Sequence, residues 1–148
     1  MFRTLKRLLK EPAPEPVRND SHSLHVAVAS LLHESKRVDF GEDEAEHRAS
    51  QRALAELFGI EQARIEPLLA EGRDKASKLT SYFAPVHLIN KTFSMEQRIA
   101  LVELLWRIAF ANGHLDRDED HFVRKIAHLL HVPNTQCMLA RSRARGSH

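Results

Sequence analysis

The sequence predicts an all-α fold, a compact helical bundle of about seven helices built from two pseudo-symmetric helix–loop–helix repeats. Three observations carry this expectation. Apolar residues recur at helical spacing, as in Leu24, Ala27, Val28, Leu31 and Leu32, which places them on one face of a 3.6-residue period. Gly and Pro are scarce within the periodic segments and β-branched runs are absent. One acidic phrase is written twice, as "RVDFGEDEAEH" at 37–47 and as "FANGHLDRDED" at 110–120, each time after an apolar helix and at the start of another.

The elements follow in order. "MFRTLKRLLK" sets Phe2, Leu5, Leu8 and Leu9 on one face, with Arg3, Lys6, Arg7 and Lys10 elsewhere. Residues 1–10 therefore read as a short amphipathic helix, suited to an anionic membrane surface or a partner's groove. "EPAPEPVRND" holds three prolines, so residues 11–20 read as an extended linker. The helical domain proper is expected over 21–148. Its first helix should end before Gly41. The second should start at Asp43 and end at Gly59, a residue suited to a helix C-terminus.

"IEQARIEPLLAEGRDKAS" reads as a third helix in which Pro67 demands an early turn or a kink. In the next, "SYFAPVHLINKTF", Pro85 suits the first turn. Ser94 and Gln97 form a capping-box pattern. They open the most apolar segment, with Ile99, Leu101, Val102, Leu104, Leu105, Trp106, Ile108 and Ala109 nearly encircling the axis. That helix should be central and Trp106 buried. A further helix starts at Asp116 and is stopped by Pro133, after which Asn134 is expected to cap a last short helix ending in arginines.

Composition bounds the function. The 148 residues carry a formal charge of only +2, and the basic tails lack interleaved aromatics, so no nucleic-acid partner is expected. The single cysteine, Cys137, excludes an intrachain disulfide and a cysteine zinc site and suits a reducing, cytoplasmic setting. No apolar run reaches membrane-spanning length. There is no phosphate-cradling glycine loop, no G-x-S-x-G and no H-E-x-x-H, since His33–Glu34 lacks a second histidine. No enzymatic activity and no organic cofactor are expected.

The doubled phrase allows two readings. Asp43 with Glu46, and Asp116 with Glu119, match the D-x-x-E start of a helix, in which Asp accepts from first-turn N–H groups and Glu sits near the positive end of the dipole. Capping does not need the residue four positions earlier, Asp39 or Asn112. Two loops brought together would present Asp39, Asp43, Glu46, Asn112, Asp116 and Glu119 to a divalent cation, calcium or magnesium, which takes oxygen ligands. Asn112 lowers the negative charge of the second half. "DRDED" is not an EF-hand, because His121 stands at the glycine position and Ala127 at the position of the bidentate Glu. His121, His128 and His131 share one helix face broadly, but one helix cannot complete a tetrahedral zinc site.

"LLHESKRVDFGEDEAEHRASQRALAELFGI" resembles the first half of the TerB-like tellurite-resistance family: an apolar helix, an A-D-G-type loop, D-x-x-E, and a helix ending in F-G-hydrophobic. "FSMEQRIALVELLWRIAFANGHLDRDEDHFVRKIAHLLHV" resembles the second half, including the Leu-Trp before the loop. The resemblance spans residues 24–132. It implies an all-helical fold with an internal repeat, a link to tellurite and general stress responses, often near membranes, and acidic positions proposed to bind a cation. Carried over, these are Asp39, Asp43 and Glu46, then Asn112, Asp116 and Glu119. Phe40 replaces the loop glycine of the first copy, and Asn112 the acid of the second. Together the residues and the resemblance lead to the expectation of a divalent-cation-binding sensor or scaffold in the cytoplasm. The alternative is a metal-free protein-interaction module, with a protein partner or a peripheral contact of residues 2–10 with the inner face of a membrane.

Overall fold

The computed structural model describes residues 18–37, 44–78, 83–111, 113, 115 and 117–146. Among them are seven helices and no strand: α1 (Arg18–Arg37), α2 (Glu44–Phe58), α3 (Gln62–Lys78), α4 (Phe83–Thr92), α5 (Met95–Phe110), α6 (Arg117–Leu129) and α7 (Asn134–Gly146). The expected amphipathic segment 2–10 and most of the linker lie outside the described residues. Helix α1 begins at Arg18, within the last three residues of the stretch read as linker. None of the described helices is long and apolar enough to cross a membrane.

Helix α5 is the axis of the bundle because it is apolar nearly all round. Leu101, Val102, Leu105, Trp106 and Ile108 are fully buried, and α1, α2, α6 and α7 all pack on it. Its start is set locally. Ser94 Oγ accepts from Gln97 N at 3.2 Å, and Gln97 Oε1 accepts from Ser94 N at 2.8 Å, the reciprocal bonds of a capping box. Trp106 Nε1–H donates to the Cys137 carbonyl at 3.2 Å, which ties α5 to α7 and satisfies the polar end of a buried ring. The Arg141 guanidinium lies 5.5 Å from the Trp106 ring centre.

The other half of the bundle is α1 held against α3 and α4. Gly72 makes the α1–α3 crossing close, since a β-carbon there would lie 2.6 Å from Ala29 Cβ. Pro67 sits inside α3, and the helix continues through it. The i−4 carbonyl that loses its partner belongs to Ala63, and both residues are exposed to water. Pro85 falls in the first turn of α4.

Two helix ends use left-handed residues. Gly59, with φ 64°, follows α2, and its N–H reaches the Ala55 carbonyl at 2.9 Å. His131, with φ 60°, follows α6, and the next N–H, of Val132, reaches back to the Ala127 carbonyl at 2.9 Å, as in a Schellman motif. Asn90 Nδ2 and Arg98 Nη1 donate to the Leu129 and Leu130 carbonyls at 3.0 and 2.9 Å. These bonds satisfy the end of α6 from α4 and α5. Asn134 is not the cap of α7. It is the first helical residue, and the preceding Pro133 supplies the carbonyl that accepts from Cys137 N at 2.9 Å. Proline, which blocks the end of one helix, is here placed to begin the next.

Candidate functional site

Both repeated phrases deliver a glutamate to the same register. Glu46 is the third residue of α2 and Glu119 the third residue of α6. Both are buried, 0% and 1% exposed. A carboxylate taken from water costs several kcal/mol unless opposite charge or hydrogen bonds offset it. The amino end of a helix supplies part of that offset, because its N–H groups carry partial positive charge.

Each glutamate sits on a helix fixed from behind. Ser50 Oγ donates to the Glu46 carbonyl at 3.1 Å, one turn along α2. Glu66 of α3 accepts from Gln51 Nε2 at 2.6 Å and meets His47 Nε2 at 2.7 Å, holding the exposed side of α2. For α6, Asp120 pairs with Arg124 and, across to α7, with Arg141 Nε at 3.6 Å. In the second phrase the chain leaves α5 through Ala111, whose N–H reaches Ile108 O at 3.1 Å, and Gly113, whose N–H reaches Phe110 O at 3.0 Å. Gly113 has φ 98°, a conformation that glycine adopts without strain. The glycine of "ANG" is therefore what turns the chain before α6.

Asp39, Asp43, Asn112 and Asp116 lie outside the described residues. Among the described residues no group of three or more His, Cys, Asp or Glu side chains is placed to hold a metal ion. The histidines considered for zinc are spread out, with His121 and His128 exposed along α6 and His131 in the turn that follows.

A second feature was not anticipated from the sequence. A cleft of about 410 Å³ runs between α2, α5 and α7, with Ala45, Ala49 and Ala53 along one wall. Arg48, Arg52 and Arg107 reach it, together with Glu56. Its signal was present in α2, where alanines and arginines alternate at i, i+3, i+4, i+7 and i+8, but only the packing of α5 and α7 makes that stripe a concave wall.

A bundle that is all-helical among the described residues is the fold that the resemblance to the TerB-like family implies. The family model described as "Tellurite resistance protein TerB" matches residues 25–142, most of the chain and both phrases, and the chain belongs to that family. No curated protein and no solved structure matches it significantly.

Proposed function

We propose that this chain is a divalent-cation-binding helical module, taking calcium or magnesium before zinc, that works as a sensor or scaffold in a tellurite or stress response and not as an enzyme. The observation that supports this most is the pair of buried glutamates, Glu46 and Glu119, at matching positions of α2 and α6. The donor set fits a hard cation. All six residues, Asp39, Asp43, Glu46, Asn112, Asp116 and Glu119, offer oxygen, and none offers sulfur or imidazole. A bound cation would add positive charge beside the two buried carboxylates. Cation occupancy would then hold the starts of α2 and α6, and a partner could read that as a change in stability or shape.

Thermal melting tests the reading. A ligand that binds only the folded state at a hundred times its dissociation constant adds about 2.7 kcal/mol, so millimolar calcium or magnesium should raise Tm by several degrees and a chelator should reverse it. An unmoved Tm with both ions favours the second reading, a metal-free interaction module. That reading draws on the basic, amphipathic residues 2–10 and on Asn112, which removes a charge from the donor set. Its membrane version predicts that flotation with anionic vesicles is lost when residues 1–17 are removed. A cytoplasmic location suits both readings.

A further inference from the structure

The geometry points to the cleft between α2, α5 and α7 as a binding site for a small anion bearing phosphate or carboxylate groups. Its volume, about 410 Å³, falls within the range that small-molecule sites occupy. The wall is built in two parts. Ala45, Ala49 and Ala53 on α2, with Leu104 on α5, Ala111 just after it and Ala144 on α7, leave an apolar floor. Above it stand three guanidinium groups, Arg48, Arg52 and Arg107, against one carboxylate, Glu56.

The charges are not equally committed. Arg48 pairs with Glu44 one turn back at 3.5 Å, an exposed pair that water already weakens. Arg107 reaches Glu103 at 3.6 Å and Glu56 at 3.9 Å among its contacts. Arg52 makes no ion pair among the described residues, although it stands midway along the wall. A planar guanidinium matches a phosphate or carboxylate edge with two parallel hydrogen bonds. An anion seated between Arg52 and Arg107 would draw Arg107 from Glu56 and leave the tighter Arg143–Glu103 pair, 2.7 Å, in place. The three-sided wall and this volume favour a small molecule over a protein segment. The site uses none of the six phrase residues, so it stands or falls apart from the cation reading.

The test is calorimetry with pyrophosphate and with citrate on the full chain, in buffers stripped of metal by resin. The expected result is binding of at least one of them with a dissociation constant below about 1 mM, weakening as salt rises. Arg52→Gln and Arg107→Gln should each weaken it about tenfold, while Arg73→Gln, on the exposed face of α3, should leave it unchanged. Tm of each variant separates lost binding from lost folding. Arg52 is exposed, so Arg52→Gln should melt with the parent and serve as the decisive variant. No heat from either anion up to about 10 mM, or equal binding by Arg52→Gln, overturns the proposal. Heat from a polyglutamate peptide but from neither small anion also overturns it and assigns the cleft to an acidic protein partner.

Discussion

Gly72 and Ala29 hold α3 and α1 closer than any side chain at position 72 would allow. A β-carbon on Gly72 would meet Ala29 Cβ at 2.6 Å, the Ala29 carbonyl carbon at 2.7 Å and Ser30 N at 2.9 Å. Two of those three atoms are backbone, so the crossing cannot relax by rotating a side chain. Gly72→Ala would ordinarily favour a helix by about 1 kcal/mol. Here overpacking should win, for a net loss of about 1–3 kcal/mol. Urea denaturation measures it, and a stabilised variant would show that the helices separate freely.

The left-handed residue after α6 gives the opposite sign. His131 holds φ 60°, a conformation that costs an ordinary residue about 1 kcal/mol and glycine almost nothing. His131 is also exposed, so little packing is lost with its ring. His131→Gly should raise stability by about 0.5–1 kcal/mol, read as a higher Tm. A lower Tm would mean that the imidazole makes a contribution the turn geometry does not explain.

Glu103 is the buried acid of the central helix, 1% exposed, and it accepts from Arg143 Nε of α7 at 2.7 Å. Removing one member of a buried ion pair strands the other, a penalty that is large for the buried Glu103 carboxylate and small for Arg107 and Arg143, which are 30% and 38% exposed and can turn to water. Glu103→Met should therefore cost less than about 1 kcal/mol, and the double change Arg107→Met with Arg143→Met about 2–4 kcal/mol. Equilibrium unfolding of the two variants decides the order. The reverse order would contradict a net desolvation cost at Glu103.

Acid should weaken the fold through His25. Its ring lies 4.1 Å from that of Phe58, and its Nδ1 has no hydrogen-bond partner among the described residues. Burial, then the charge of Arg64 and of His22, lower its pKa from 6.5 to about 4. The unfolded chain takes up the proton first. Stability from the neutral ring is therefore complete above pH 6.5 and is lost as pH falls toward 4. The whole shift corresponds to at most about 3 kcal/mol, and the ring's partial exposure reduces it. His25→Leu should flatten the melting temperature between those two pH values, and a profile identical to the parent's would place the acid sensitivity elsewhere.

The parts of the fold that the sequence announced are those decided within one turn or one face. The Ser94–Gln97 box depends on residues three apart, Gly59 on one backbone angle, and the burial of Trp106 on apolar residues around the whole of α5. Long-range closeness was not legible. Nothing near Gly72 names Ala29 as its neighbour, and Glu103 reads as a break in the apolar surface until α7 brings Arg143 over it. Asn134 has the side chain of a cap, but the carbonyl of Pro133 already fills that position. For the candidate site, the shared register of Glu46 and Glu119 was written in D-x-x-E. Their burial was not, because it comes from packing against the rest of the bundle, and the arginine cleft needed three helices to exist.

The central claim is that the two buried glutamates serve one cation-binding function. Glu46→Gln and Glu119→Gln keep the shape of each side chain and remove its charge. Calorimetric titration of calcium and of magnesium into the parent and both variants tests the claim most directly. The account predicts saturable binding of at least one ion by the parent, weakened about tenfold or more by either substitution, with the metal-free Tm of each variant separating lost binding from lost folding. No binding by the parent up to millimolar ion, or binding that neither substitution weakens, would contradict it.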